Sequence, residues 1–160
     1  MAATTIPGLS TLGVVFGYAI ETTAGTKPTA FATLERCNAI DGITITPEQI
    51  DASALEDTST KYTSGRSDTG GSINVTFNWQ NDVATELDGM LTAFNNRGSG
   101  LSMWIEVYHP NLTDAFFAVA EPPSILPMPA FDQNSLLTVE VPFTIVDYKG
   151  HSTAVTPTAP

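Results

Sequence analysis

Between Gly71 and Trp79 apolar and polar positions alternate without a break: Ile73, Val75, Phe77 and Trp79 on one side, Ser72, Asn74, Thr76 and Asn78 on the other. A period of two is that of a β-strand with one buried and one wet face. Ser102–Tyr108 alternates in the same way, Met103, Ile105 and Val107 against Trp104, Glu106 and Tyr108. Leu136–Val146 does so over a longer run, with Leu137, Val139, Val141, Phe143 and Ile145 on one face. Pro142 lies on its other face and donates no ladder hydrogen bond, which predicts an edge or a bulge there. Leu12–Ile20, Phe31–Ile40, Ile43–Thr46 and Thr113–Ala120 complete the expected strands, with Asp41-Gly42 as a turn.

The period changes once. From Asp82 to Asn96 the apolar residues Val83, Leu87, Met90, Leu91 and Phe94 recur at helical spacing. Asp82 is the expected N-cap and Gly98 the stop, with Arg97 at the negative end of the helix dipole. The pattern predicts a mainly β domain over residues 1–149: a β-sandwich or partly closed barrel of about seven strands with one flanking helix. Residues 150–160, rich in Thr, Pro and Ala, are expected to be a flexible tail.

One segment fits neither period. Ile50–Gly71 carries six charged residues and three glycines, with only Ile50, Leu55 and Tyr62 as large apolar side chains. It reads as a long inter-strand loop. Connections beyond about 12–15 residues in a compact domain are commonly functional. Its three apolar residues suit contact points better than a core.

Composition narrows the function classes. Of 160 residues 42% are apolar, enough to fill one core. Seventeen acids against six bases give a net charge of −11, which disfavours ordinary nucleic-acid binding. The same charge also serves solubility alone. The first ten residues lack the basic stretch of a secretory signal, and Leu12–Ile20 is too short to span a bilayer. No membrane partner is expected.

Chemistry is sparse. The single cysteine, Cys37, allows no intrachain disulfide and suits a buried position. His109 and His151 stand in no metal-binding spacing, and no cofactor motif occurs, so neither metal nor cofactor is expected. Glu56-Asp57, Asp51 and Asp68 cluster in the long loop, where solvation is the simpler reading than a catalytic pair. No enzyme activity is expected. Trp104 and Tyr108 could line a groove of a carbohydrate- or ligand-binding sandwich, although aromatic residues in strands more often pack in the core.

The order Ile50-Asp51, Leu55-Glu56-Asp57, Tyr62, Gly65, Asp68 and Gly70-Gly71 before an alternating strand and an acidic helix resembles the major tail (tail tube) proteins of long-tailed, non-contractile bacteriophages. The resemblance spans about Leu12 to Val146. It implies a structural virion protein, made in the host cytoplasm, whose hexameric rings stack into the tube that delivers the genome. Its partners would be further copies of itself, the tape-measure protein and the tail terminator, with DNA passing through without specific binding. The long loop would grip neighbouring copies through Leu55 and Tyr62 as apolar anchors and Asp51, Asp57, Lys61, Arg66 and Asp68 as polar register. Six copies would carry about −66 per ring, and an acidic lumen would let DNA slide. Glu106 and Glu140, then Asp114 and Glu121, are the acids expected to face it. A tube subunit of a contractile injection system would share this architecture.

Overall fold

The computed structural model describes residues 8–160. The signal-peptide reading above falls largely on residues 1–7, outside that range. In chain order the elements are β1 (Val15–Ile20), β2 (Ala32–Leu34), β3 (Cys37–Ile40), β4 (Thr46–Asp51), β5 (Tyr62–Asp68), β6 (Ser72–Asn78), α1 (Asn81–Asn95), β7 (Met103–Tyr108), β8 (Asp114–Glu121) and β9 (Thr138–Thr153). Seven strands form one antiparallel sheet in the order β2-β1-β7-β8-β9-β6-β3, while β4 and β5 pair only with each other. The fold is mainly β with one flanking helix, as the periodicity predicts.

The two edge strands of the large sheet, β2 and β3, are neighbours in the chain. Only Glu35 and Arg36 separate them, and Arg36 adopts φ 60°, a left-handed conformation uncommon outside glycine. The run read as one strand, Phe31–Ile40, is thus broken at Arg36. The sheet curls so that both edges meet at this bend, without a ladder between them. Its concave side holds the main core: Phe16, Ile73, Val75, Phe77, Met103, Ile105, Val139, Val141, Phe143 and Ile145 meet Val83, Leu87, Met90 and Leu91 of α1. Phe16 lies at the centre, with ring centroids 5.5 Å from Phe143 and 6.1 Å from Phe77. Glu86 of α1 accepts the Glu35 N–H at 2.8 Å and so fixes the helix to the bend.

The helix ends differ from expectation. Gln80, not Asp82, is the N-cap, and its side chain makes no capping bond; Asp82 lies in the first turn, where its charge suits the dipole. The helix closes at Asn96, and Gly98 does not take the left-handed stop conformation. Arg97 serves that end, donating to the Phe94 and Leu101 carbonyls at 2.8 and 3.0 Å and stacking 3.8 Å over the Phe94 ring.

Pro142 is paired with Asn74 inside the sheet. Asn74 spends its N–H and C=O on Asp41, on the side away from β9, so Pro142 belongs to a non-hydrogen-bonded pair. Its nitrogen faces the side where β8 has already ended at Glu121. The position is a local edge, which is why proline is tolerated there.

The chain's last residues correct the expectation of a flexible tail. Gly150–Thr153 extend β9 along β8, and Thr158 bridges to Ala32 of β2 in parallel.

Candidate functional site

The segment read as a loop is a β-hairpin arm. Thr46↔Asp68, Pro47↔Ser67, Gln49↔Ser64, Ile50↔Thr63 and Asp51↔Tyr62 are paired, with a bulge between Pro47 and Gln49. The expected strand Ile43–Thr46 is displaced accordingly: β4 begins at Thr46 and runs outward, and Asp41-Gly42 makes no hairpin with β3. Every residue of β4 is exposed, and of β5 only Gly65 is half-buried. Ile50 lies across Gly65, where an added Cβ would come within 2.9 Å of the Ile50 Cδ1. The arm has no side-chain core beyond such contacts, so it is built from backbone pairing.

Its tip is tied by polar bonds. Asp51 Oδ1 accepts the Ser53 N–H at 2.9 Å, Asp57 Oδ2 accepts the Ala54 N–H at 2.7 Å, and Ser53 Oγ accepts the Lys61 N–H at 2.8 Å. Lys61 also pairs with Asp57. Hydrogen bonds from Ser53 hold the Asp51 carboxyl below its ordinary range, and the Lys61 ammonium does the same for Asp57. Asp68 Oδ1 accepts the Gly70 N–H at 2.9 Å and shapes the return into β6. Of the seven residues assigned to a neighbour's register, Asp51, Asp57, Lys61 and Asp68 thus first stabilise the arm itself. Arg66 is exposed, Tyr62 is 60% exposed and Leu55, at the tip, is 108% exposed. Both anchors are unburied in the single chain.

The four acids expected to line a lumen separate into two groups. On the convex side of β6 and β9, Ser72, Asn74, Thr76 and Asn78 face Thr144, Pro142, Glu140 and Thr138. Glu140 and Glu121 are exposed on this polar face, where Glu121 is opposite Thr144. Asp114 is half-exposed at the far end of β8, 3.1 Å from the His151 ring. Glu106 is the correction. It is completely buried, on the half of the convex face formed by β1, β7 and β8. That half is apolar, with Ala19, Phe31, Trp104, Ala115, Phe117 and Val119 under Ala154 and Val155. Alternation along β7 correctly puts Glu106 and Ile105 on opposite faces, but both faces are covered.

The same covering removes the proposed groove. Trp104 is buried and its indole N–H donates to Glu21 Oε1 at 2.7 Å. An open apolar cleft of about 1020 Å³ lies elsewhere, between residues 10–14 and β3. Cys37 is among its lining residues, but burial pushes the thiol up to about 11, which leaves it protonated at neutral pH.

A further surface was hidden in the connection from β8 to β9. Residues 122–137 contain no strand or helix and expose Ile125, Met128, Phe131 and Leu136. Its sixteen residues exceed the usual length of a structureless connection, the one sequence signal that could have marked it.

No protein-family model matches the sequence, and no curated protein matches it. The fold does have solved counterparts. A chain in the cryo-EM structure of the anti-feeding prophage (AFP) baseplate, sixfold symmetrised, is similar with a TM-score of 0.56 at 14% identity, over 91% of this chain and 96% of that one. A chain in the tail of an empty GTA particle, with C6 symmetry, is similar with a TM-score of 0.53 at 15% identity, over 88% and 95%. At this identity the likeness establishes a shared fold.

Proposed function

We propose that this protein is a structural subunit of a phage-type tail, assembling as rings of six copies that stack into a hollow tube for genome delivery. The observation that carries this reading is the exposed hairpin arm with Leu55 and Tyr62 unburied, on a fold shared almost end to end with chains of sixfold-symmetric tail and baseplate structures. Isolated hairpins are marginal in water, so an arm of this kind gains most by packing on a neighbour. A contact between two different surfaces repeats head to tail, which closes rings or extends stacks. Residues 122–137 offer a second apolar surface for such contacts.

Negative-stain imaging of concentrated protein tests the reading. Rings or tubes are expected from the wild type. The double variant Leu55→Asp, Tyr62→Asp should stay monomeric while its melting temperature moves by no more than about 2 °C, because exposed positions contribute little to folding. Tubes from the variant at wild-type concentration would remove the arm from assembly.

The polar face bearing Glu121 and Glu140 is the surface we assign to the lumen. Small hydroxyl and amide side chains give DNA no cationic hold, and the two carboxylates repel it. Glu121→Lys with Glu140→Lys should leave rings intact but make assembled tubes retain double-stranded DNA at low salt and release it at high salt. Unchanged DNA retention would place this face outside the lumen.

A second reading is the inner-tube subunit of an injection system. The similarity to a chain in the AFP baseplate favours it as much as the GTA tail favours the first. Finding the native tube within a contractile sheath would decide for it.

A further inference from the structure

The apolar half of the convex face is closed by five residues near the C-terminal end of the sequence. Ala154 N–H donates to the Thr113 carbonyl at 3.1 Å and Val155 N–H to Glu106 Oε1 at 3.1 Å. Further on, Thr158 completes the free edge of β2: Thr33 N–H donates to the Thr158 carbonyl at 2.8 Å, and Thr158 N–H to the Phe31 carbonyl at 3.0 Å. Between them Pro157 lies against Gly17, whose missing Cβ would be 3.4 Å from the Pro157 Cβ. An added Cβ would meet Pro157 at ordinary contact distance and the Ala32 carbonyl more tightly, at 3.2 Å, so the segment lies directly against β1. Lys27 fixes its base through Ser152 Oγ and the Thr153 carbonyl at 3.0 and 2.7 Å.

This strap has two unusual properties. It pairs with β2 in parallel, whereas the sheet's strands pair antiparallel, so it is laid on the edge and not folded back from a neighbouring strand. It also seals in Glu106, whose Oε2 has no hydrogen-bond partner among the described residues. A buried carboxyl satisfied at one oxygen is costly, and that cost vanishes when the strap lifts and water enters. The seat is specific, through Val155, Pro157 and Thr158, yet weakly held.

We propose that residues 154–158 are an exchangeable strap, which in the assembled state leaves its own β2 and lies on the β2 edge of the adjacent copy. The inference rests on the self-assembly reading. Exchange of an identical segment remakes the same contacts between chains, so it costs little while tying each chain non-covalently to its neighbour's sheet. It also keeps the β2 edge covered at all times, which guards against disordered edge pairing.

Gly17→Cys with Pro157→Cys, in a Cys37→Ala background, tests it. The Cβ separation is close to that of a disulfide, and Gly17 has no positive φ that would strain a side chain. The protein is assembled under reducing conditions, imaged, oxidised and run in denaturant without reductant. A ladder of linked chains up to six, collapsing to monomer with reductant, is expected. Rings that give only internally linked monomers overturn the exchange and leave the assembly reading standing. Failure of the wild type to form rings overturns both. Should the cysteine pair block assembly, removal of residues 154–160 decides: rings that dissociate at a several-fold higher protein concentration support the exchange, and rings of unchanged stability overturn it.

Discussion

Replacing Glu21 by alanine should destabilise the domain by about 3 kcal/mol, the sum expected when several buried donors lose one acceptor. Glu21 is a buried residue at the end of β1. One oxygen accepts the Trp104 indole N–H at 2.7 Å, and the other accepts the Ser102 and Gly25 N–H groups at 3.0 and 3.2 Å. It therefore holds the turn after β1, the entry to β7 and the tryptophan under the strap. Glutamine is expected to rescue only in part, because its amide nitrogen would face an N–H donor. Burial alone would raise this carboxyl's pKa, but the hydrogen bonds from Trp104, Ser102 and Gly25, with the Lys149 charge, outweigh it and the net direction is down. A lowered folded-state pKa stabilises above the unfolded value and is lost as pH falls through the folded one. Acid unfolding of the wild type should accordingly be steeper than that of Glu21→Ala. Equal urea midpoints for the two proteins at pH 5 would refute the role.

Glu21 shows where sequence reading stops. Its neighbours spell a turn, and a charged residue in a turn reads as solvated. Only the pairing of β1 with β7, in which Ile20 meets Met103, brings it to Trp104, eighty-three positions away. The same limit explains Glu106. Alternation tells which residues share a face but not what lies on that face, and the cover here is a segment whose composition suggested disorder. In contrast β6, β9 and α1 were readable because each buries one continuous face, so periodicity and environment agree.

The arm was half legible. Its length, polarity and three apolar residues marked Ile50–Gly71 as a contact segment, yet its strands were not visible. Glu48, Gln49 and Asp51 on β4, with Ser64, Arg66 and Asp68 on β5, are solvent-facing on both sides, so no alternation exists to be read. Such strands depend on backbone pairing and on the Asp51, Ser53 and Asp57 bonds at the tip. Deleting Glu56–Asp68 would therefore remove β5 and leave β4 an unpaired edge, which is why point substitution of Leu55 and Tyr62 is the cleaner probe of assembly.

Glu106→Gln should stabilise the domain at pH 8 and leave it nearly unchanged at pH 5. Burial raises the Glu106 carboxyl from 4.5 to about 7, against the opposing effects of the Val155 N–H and the Lys27 ammonium. Lys27 is the base whose charge acts on it; the adjoining side chains are apolar, with Phe117 directly across on β8. Because the folded-state pKa is raised, the folded protein holds its proton more tightly than the unfolded chain does. Stability is then highest below about 4.5 for this group and falls as pH rises towards 7. At about 1.36 kcal/mol per unit the full span corresponds to roughly 3 kcal/mol, an upper figure that water entry beneath the strap would reduce. Glutamine keeps the acceptor for Val155 and removes the ionisation, at the cost of one unpartnered amide group. Its urea midpoint should be flat between pH 5 and 8 while the wild type declines. Glu21 acts in the opposite sense, its contribution being lost at low pH. A wild-type midpoint that rises from pH 5 to 8, or a Glu106→Gln profile parallel to it, would show that the carboxyl beneath the strap ionises in the folded chain as readily as in the unfolded one.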